Sequence, residues 1–591
     1  MKKILLLLAA LALLGSVAFA GGGSQKAAPA ADKAAPSAEK AAPAAPAPTD
    51  ITIYLWGAEP NQMSSILNEF YNRTKDTLGI KLKIDWTPQA DFPNKMKLKL
   101  TAGESVDACF DAPWMNMTTF VSQGNYTDLT PYFRNPAYPG LQKNFDESLL
   151  ASNYFGEKGN QLFGIPFAQS YGGNQLIFIR GDLRKQYNLP EVKSLADFEN
   201  YLKGIAANTK LIPFALRSDP ANWAVGITYD GLYRAQHPEF QYEYNAKGIW
   251  RQKLAAGSFA WLYVQDYKVV DAYITAESVA DLKTFPAPFN TSTTDLFSYD
   301  LASQKLASKW YSQGLIDKDV VNCTNAQALF TSGAAASYIW DVANYGSTAT
   351  NLAKSVPNSV LEVWNPDILT ANNIKGGKEG AFQVANFVCI PVTTPKAKAD
   401  KIMKFFDWLF SDLKNNDLFA FGIEGVNFTA VGTTEYSYDP KIDMSKNYAF
   451  PGYQLVWNAN FVRFPIGFPD AVTKALRASA APDTWYKPLF SGFRFNSVPV
   501  KNQMANPDLK VAAGMLNALS LGIYPDVNAE FAKIDATLTA NKNLQQDIQA
   551  IKVELIKQAN AYLAVRKAED QKNGTKYPTM DQLPAIKAIP R

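Results

Sequence analysis

Between Ile51 and Phe110 the hydrophobic period changes twice from two to about 3.6 and back, and no other feature constrains the fold of this chain as strongly. Ile51, Ile53 and Leu55 alternate with Thr52, Tyr54 and Trp56, as in a strand, and Met63, Ile66, Leu67 and Phe70 then recur at helical spacing up to Gly79. Ile80, Leu82, Ile84 and Trp86 alternate again. Pro93 to Ala102 reads as a second helix closed by Gly103, and Val106 to Phe110 as a third, continuously apolar strand. A β-α-β-α-β run of about sixty residues calls for parallel pairing, so the expected fold class is α/β with a doubly wound sheet.

In such sheets ligands sit outside the carboxyl ends of the strands, where the strand order reverses; in a 2-1-3 order that point lies between the first and third strands. Those two ends carry Trp56-Gly57-Ala58-Glu59 and Asp111-Ala112-Pro113-Trp114. Trp56, Glu59, Asp111 and Trp114 combine flat apolar surfaces with hydroxyl acceptors, which is what a polar ligand with apolar faces requires. The alternative is that both tryptophans cap the edge of the core.

A second α/β unit follows. Leu176 to Ile179 reads as a buried strand, Ser194 with Asp197 as a capping box ahead of Leu195, Phe198, Tyr201, Leu202 and Ile205, and Leu211 to Leu216 as a further strand. The crossing between lobes is expected at Ile165 to Gly173, where Pro166 and paired glycines interrupt the pattern. Ala326 to Phe330 reads as a short helix stopped near Gly333, and Ala336 to Trp340 as a strand ending in Trp340-Asp341, again an aromatic beside a carboxylate. Trp340 fits core packing nearly as well as a ligand. Phe382 to Ile390 is another apolar strand, followed by a helix with Ala399, Ile402, Phe405, Phe406 and Leu409 on one face. Leu544, Ile548, Ile551, Leu555, Ala559 and Leu563 predict a long amphipathic helix packed against a lobe, in preference to a partner-binding coil. Residues after Lys572 read as extended or frayed.

The amino terminus has the three parts of a secretory signal: Lys2 and Lys3, an apolar run from Ile4 to Leu14, and the small-x-small site Ala18-Phe19-Ala20. Residues 1–20 are expected to be removed after Ala20; a retained amino-terminal anchor is the alternative. Residues 21–49 are almost wholly Ala, Pro, Gly, Ser and Lys, a linker that at about 3.1 Å per residue reaches roughly 90 Å at most. The remainder, within a chain 47% hydrophobic and 13% aromatic, is globular and too long for one core, so at least two lobes are expected. The formal charge of +4 falls to +2 without Lys2 and Lys3, and no cluster of cations interleaved with aromatics marks a nucleic-acid surface. Cys109, Cys323 and Cys389 permit at most one disulfide, and Cys109 and Cys389 sit in apolar runs as small buried hydrophobes would. His237 is the only histidine, so a His-based triad or a zinc site has almost no raw material, and neither a metal nor a cofactor is expected.

Several strings, in order and over residues 50–430, resemble the extracellular solute-binding proteins of bacterial ABC importers, family 1. They are the opening strand with Trp56, Leu100 to Asp107, Gly124 with Thr127 to Tyr132, Leu162 to Pro166, Ile179 to Leu183, Tyr311 to Asp317 and Leu329 to Gly333. Phe421 to Phe428, Phe450 to Tyr453 and the carboxyl-terminal extension are similar to the LplA-like subgroup. The resemblance implies two doubly wound α/β lobes on a hinge: residues 50–168 and 386–430 in the first, 169–385 and 431–591 with extra carboxyl-terminal helices in the second. By matching position, Trp56, Glu59, Asp111 and Trp114 belong to the first half of a ligand site, and Gln169, Tyr171, Trp340 and Asp341 to the second. It further implies a small solute, commonly a sugar or oligosaccharide, passed unaltered to a membrane permease by a monomer. Many members carry an acylated cysteine after the signal; Gly21 stands there here, which implies free diffusion in a periplasm.

A competing reading is a secreted glycoside hydrolase with Glu59 and Asp111 as its paired carboxylates, about 5 to 10 Å apart beside aromatic platforms. Internal repeats or a wall anchor, which an adhesin would show, are not seen.

Overall fold

The computed structural model describes residues 47–155, 161–218, 229–254, 259–277, 282–291, 301–380 and 382–574. The expected signal peptide, nearly all of the linker, and residues 575–591 lie outside the described residues. In chain order the first twelve strands are β1 Thr49–Trp56, β2 Ile80–Thr87, β3 Ala108–Asp111, β4 Ile165–Phe167, β5 Gln175–Arg180, β6 Ile249–Lys253, β7 Phe259–Gln265, β8 Lys268–Ile274, β9 Ser337–Asp341, β10 Leu361–Trp364, β11 Lys378–Glu379 and β12 Asn386–Cys389.

The first sheet has the order β2-β1-β3-β12-β4. β1 runs parallel to β2 from Thr49 opposite Ile80 to Trp56 opposite Thr87, and parallel to β3 at Ile53 and Tyr54, so the expected 2-1-3 order is present. β12 enters antiparallel between β3 and β4. It is shorter than the apolar run that announced it: Phe382 takes a left-handed backbone, φ 48°, which cannot continue a ladder, and only Asn386–Cys389 pair. The helix Met63–Thr74 buries Met63, Ile66 and Phe70 with Leu67 half-buried, Phe92–Thr101 buries Phe92, Met96 and Leu100, and Lys396–Leu409 buries Ala399, Ile402, Phe405, Phe406 and Leu409 as read from the sequence.

The second sheet repeats this plan. β5 is antiparallel to both β9 and β10, as β12 is to its neighbours, and the parallel half is built by residues 212–215. Ile212 pairs with Ala335, Ala215 with Tyr338 and Phe214 with Ile316, all parallel. Leu211 to Leu216 therefore sits where a strand was expected but bonds through single bridges, because Pro213 has no N–H to give a continuous ladder. Alternate residues of β5 enter different cores: Ile177 and Ile179 pack with Phe198, Tyr201 and Trp310, Leu176 and Phe178 with Phe330 and Tyr338. Burial on both faces is why this strand is an unbroken apolar run. Ahead of the helix Leu195–Asn208, Ser194 Oγ accepts from the Asp197 amide at 3.1 Å, while the Asp197 carboxylate accepts from Lys193 N and Ser194 Oγ.

The core of the first sheet also takes in Tyr448, Phe450, Leu455, Val456 and Phe461, from well beyond β12. A further core joins the β7-β8 hairpin to the helix Lys542–Asn573, whose Leu544, Ile548, Ile551, Leu555, Ala559 and Leu563 are all buried. Lys552 of that helix donates to Glu277 at 2.8 Å and pairs with Asp271 at 2.9 Å, and Asn560 accepts from the Val269 amide. The stripe is thus spent on the chain's own hairpin and is not left for a partner.

Candidate functional site

At the carboxyl ends of β1 and β3 the aromatic and acidic residues separate into different jobs. Asp111 is 3% exposed, and both its oxygens are engaged: Tyr126 Oη donates to Oδ2 at 2.7 Å, and the amides of Ala112 and Asn116 donate to Oδ1 at 2.7 and 3.2 Å. Burial is the largest influence on its carboxyl and lifts the pKa to about 6 against these bonds. Asp111 therefore ties down the loop after β3. That loop carries Trp114, which is 52% exposed and donates from Nε1 to Asn386 Oδ1 at 3.3 Å.

Trp56 stands edge-on to Trp114 with ring centroids 6.5 Å apart, and 5.4 Å from Tyr453, which in turn lies 5.7 Å from Trp457. The backbone of Trp56 is held by the buried Gln454, which accepts from its N–H at 3.1 Å and donates to its carbonyl at 2.8 Å. The result is a band of four aromatic side chains, three of them half-buried and Trp114 projecting. Tyr453 and Trp457 were not among the expected residues, although Phe450 to Tyr453 had stood out as a string; nothing in a local pattern says that a segment some 400 residues from β1 returns to its end. Glu59 is exposed, and among the described residues makes no hydrogen bond or ion pair. Neither it nor the fully bonded Asp111 is arranged as a hydrolase carboxylate pair requires.

By the repeat of the sheet plan, the equivalent point of the second sheet lies between the end of 212–215 and the end of β9. Trp340 and Asp341 are there, half-buried, as is Arg217, whose guanidinium lies over the Trp340 ring at 5.6 Å. Arg217 was missed because the strand leading to it carries no alternation. Asp341 again serves the backbone, accepting from Ala343 N at 2.9 Å, and burial raises its pKa. Between the sheets the chain crosses over residues 168–174. Ala168 N donates to the Trp457 carbonyl and Tyr171 N to that of Ser479; Gln169 is half-buried between them. The Tyr171 ring packs on Phe382 at 5.2 Å. Gly172 lies against Trp485, whose indole donates to the Ala478 and Ser479 carbonyls at 3.2 Å; a Cβ on Gly172 would come within 2.5 Å of that ring. Four residues of extended chain span at most about 14 Å, so this crossing holds Trp457 and Trp485 close together.

Elsewhere, a cavity of about 1200 Å³ opens beside the helix Lys396–Leu409, lined among others by Tyr132, Tyr138, Lys396 and Lys404. None of the eight expected residues lines it, and it faces no strand end of the kind that makes a ligand site in an open α/β sheet. Among the described residues no group of three or more His, Cys, Asp or Glu is placed to hold a metal ion, and no helix is long and apolar enough to cross a membrane.

Comparison with solved structures finds the same two-lobed α/β fold in solute-binding proteins. The N-glycan transport solute binding protein of Streptococcus pneumoniae superposes with a TM-score of 0.60 at 17% identity, over 87% of this chain and 99% of that one. Its complex with Man5GlcNAc gives 0.54 at 18%, over 87% and 98%. The HMO-binding, ABC-transporter-associated solute binding protein of Bifidobacterium longum infantis gives 0.53 at 14%, over 88% and 99%. In sequence, 169 residues, 28% of the chain, are 25% identical to a carbohydrate ABC transporter substrate-binding protein of Streptococcus pneumoniae serotype 4; the match spans 33% of that relative's length. No protein-family model matches the chain.

Proposed function

We propose that this protein is the exported, monomeric solute-binding component of an ABC importer, that it captures an oligosaccharide between its two lobes, and that it hands the ligand unaltered to a membrane permease. The observation that carries the reading is the aromatic band Trp56, Trp114, Tyr453 and Trp457 at the end of the first sheet. The rings pack edge-on or tilted against one another, so the projecting Trp114 offers the main stacking face and the half-buried Trp56, Tyr453 and Trp457 continue it as an apolar surface for a sugar chain. Trp340 with Arg217, and Gln169 with Tyr171 on the crossing, form the opposite wall. The relatives' ligands, N-glycan and HMO, are of this class. Lobe boundaries follow the crossings near 169 and 385, with the segment through Phe461 joining the first lobe by its core. Ligand contacts from both walls favour the closed arrangement over the open one, and a permease reads that difference. In this reading the working compartment is the periplasm, entered after cleavage at Ala20.

Titration of the mature chain with N-glycan-type and milk-type oligosaccharides, and with their monosaccharides, is the test. Saturable heat, a shift in tryptophan fluorescence and a higher Tm with the oligosaccharides are expected; ligand at a hundredfold excess over Kd adds about 2.7 kcal/mol of stability. Silence across the whole panel, or accumulation of cleaved product, sinks the reading.

A further inference from the structure

β3 and β12 carry a cysteine on the same rung. Cys109 stands directly opposite Cys389 in the antiparallel ladder. Residues so placed project to the same face with Cα atoms about 4.5–5.5 Å apart, inside the roughly 4.4–6.8 Å window of a disulfide. Tyr126 Oη lies 3.8 Å from Cys109 Sγ on that face. Both thiols are free and wholly buried, and the third, Cys323, belongs to a different core. Cys389 Sγ packs over Gly164, so closure needs a rotation about its Cα–Cβ bond toward Cys109.

We propose that Cys109 and Cys389 are the two halves of a cross-strand disulfide that closes while the chain folds in an oxidising medium and is then sealed within the first core. It joins segments some 280 residues apart, stitching the outgoing chain to the returning one at their shared seam. The oxidant is a small or protein disulfide. One cysteine thiolate attacks it, forming a mixed disulfide and releasing one donor thiol. The thiolate of the other cysteine then attacks the mixed disulfide, forming the Cys109–Cys389 bond and releasing the second donor thiol. Two electrons and two protons pass to the donor. The reaction needs a thiolate, and in the finished fold burial pushes both thiols well above their usual range, so closure belongs to folding and not to the folded state.

The operation of this bond in the cell rests on the export reading; its chemistry does not, so the deciding experiment is done outside the cell. The full chain, unfolded and reduced, is refolded with oxidised and reduced glutathione, recovery is checked by tryptophan fluorescence, and thiols are counted by mass after alkylation in denaturant. The count is expected to fall from three to one, the survivor being Cys323. C323S is expected to retain the bond, and C109S and C389S to lose it. Folded, reduced protein given the same glutathione is expected to keep all three thiols. Cell-free translation with glutathione supplies the same count where refolding from denaturant fails. Three free thiols in folded product, or a bond that uses Cys323, overturns the proposal, and rapid oxidation of the folded form overturns the sealing. Protein from cells with three free thiols, beside one thiol after refolding, would fault the export reading and leave the bond standing.

Discussion

The two sheet ends carry the same pair of residue types and use them to different degrees. After β3, Asp111 is buried and fully bonded while Trp114 stands 52% exposed; after β9, Asp341 caps the following turn while Trp340 is half-covered by Arg217. In both places the acid works for the backbone and the aromatic ring keeps an exposed part. The expected pairing of a hydroxyl acceptor with a stacking face thus meets acids already engaged by the backbone beside rings that are still partly exposed. A buried carboxylate is stabilised most cheaply by nearby amides and a phenol, and once so bonded it has little left for anything else.

The division of labour can be broken at Asp111 first. Asp111→Ala leaves the Tyr126 hydroxyl and two amides short of an acceptor, and stability is expected to fall by about 3 kcal/mol, read by denaturant unfolding. The pH dependence carries its own sign. Because the folded carboxyl titrates near 6, above its unfolded value, its contribution is most favourable below about pH 4 and is lost as the pH rises through 6. Asp111→Asn should flatten that segment of the stability profile; a profile identical to wild type would mean the carboxyl is not perturbed. Gly172→Ala is next. The added carbon meets a Trp485 ring that two hydrogen bonds hold in place, so a loss of about 1–3 kcal/mol is expected, together with altered ligand affinity because the crossing must shift. Unchanged affinity would show that the crossing does not set the relation between the walls.

Trp114→Ala sharpens the contrast with its loop partner. Affinity for the oligosaccharide should fall about tenfold, a loss of about 1.4 kcal/mol, with Tm nearly unchanged, since the ring is already half in water. A large drop in Tm with intact binding would reverse the roles assigned to Trp114 and Asp111. Smallest of all, Glu59→Gln should change neither stability nor binding measurably, as Glu59 is exposed and has no bonded neighbour among the described residues. A strong effect there would restore the carboxylate to the site.

Much of the first lobe was readable because its elements are built from local periods. The alternation of Ile51, Ile53 and Leu55 and the helical stripe that follows are properties of neighbouring residues, whereas the 2-1-3 order was an assumption that only the pairing of β1 with both β2 and β3 established. Residues 212–215 were harder, because Pro213 breaks the ladder, and with them Arg217 was lost. Tyr453 and Trp457 were invisible as site residues for another reason: Gln454 brings them to β1 through hydrogen bonds to Trp56 that span nearly 400 residues.

Period, burial and turn chemistry, which act over a few residues, were enough to place the opening strands and helices, the helix Lys396–Leu409, the buried stripe of the long carboxyl-terminal helix and tryptophans at strand ends. Only the tertiary structure decided which tryptophan faces are free, which acids are consumed, and that Cys109 meets Cys389. These depend on side chains brought together across hundreds of residues, where packing and hydrogen-bond satisfaction are global constraints that no local pattern encodes.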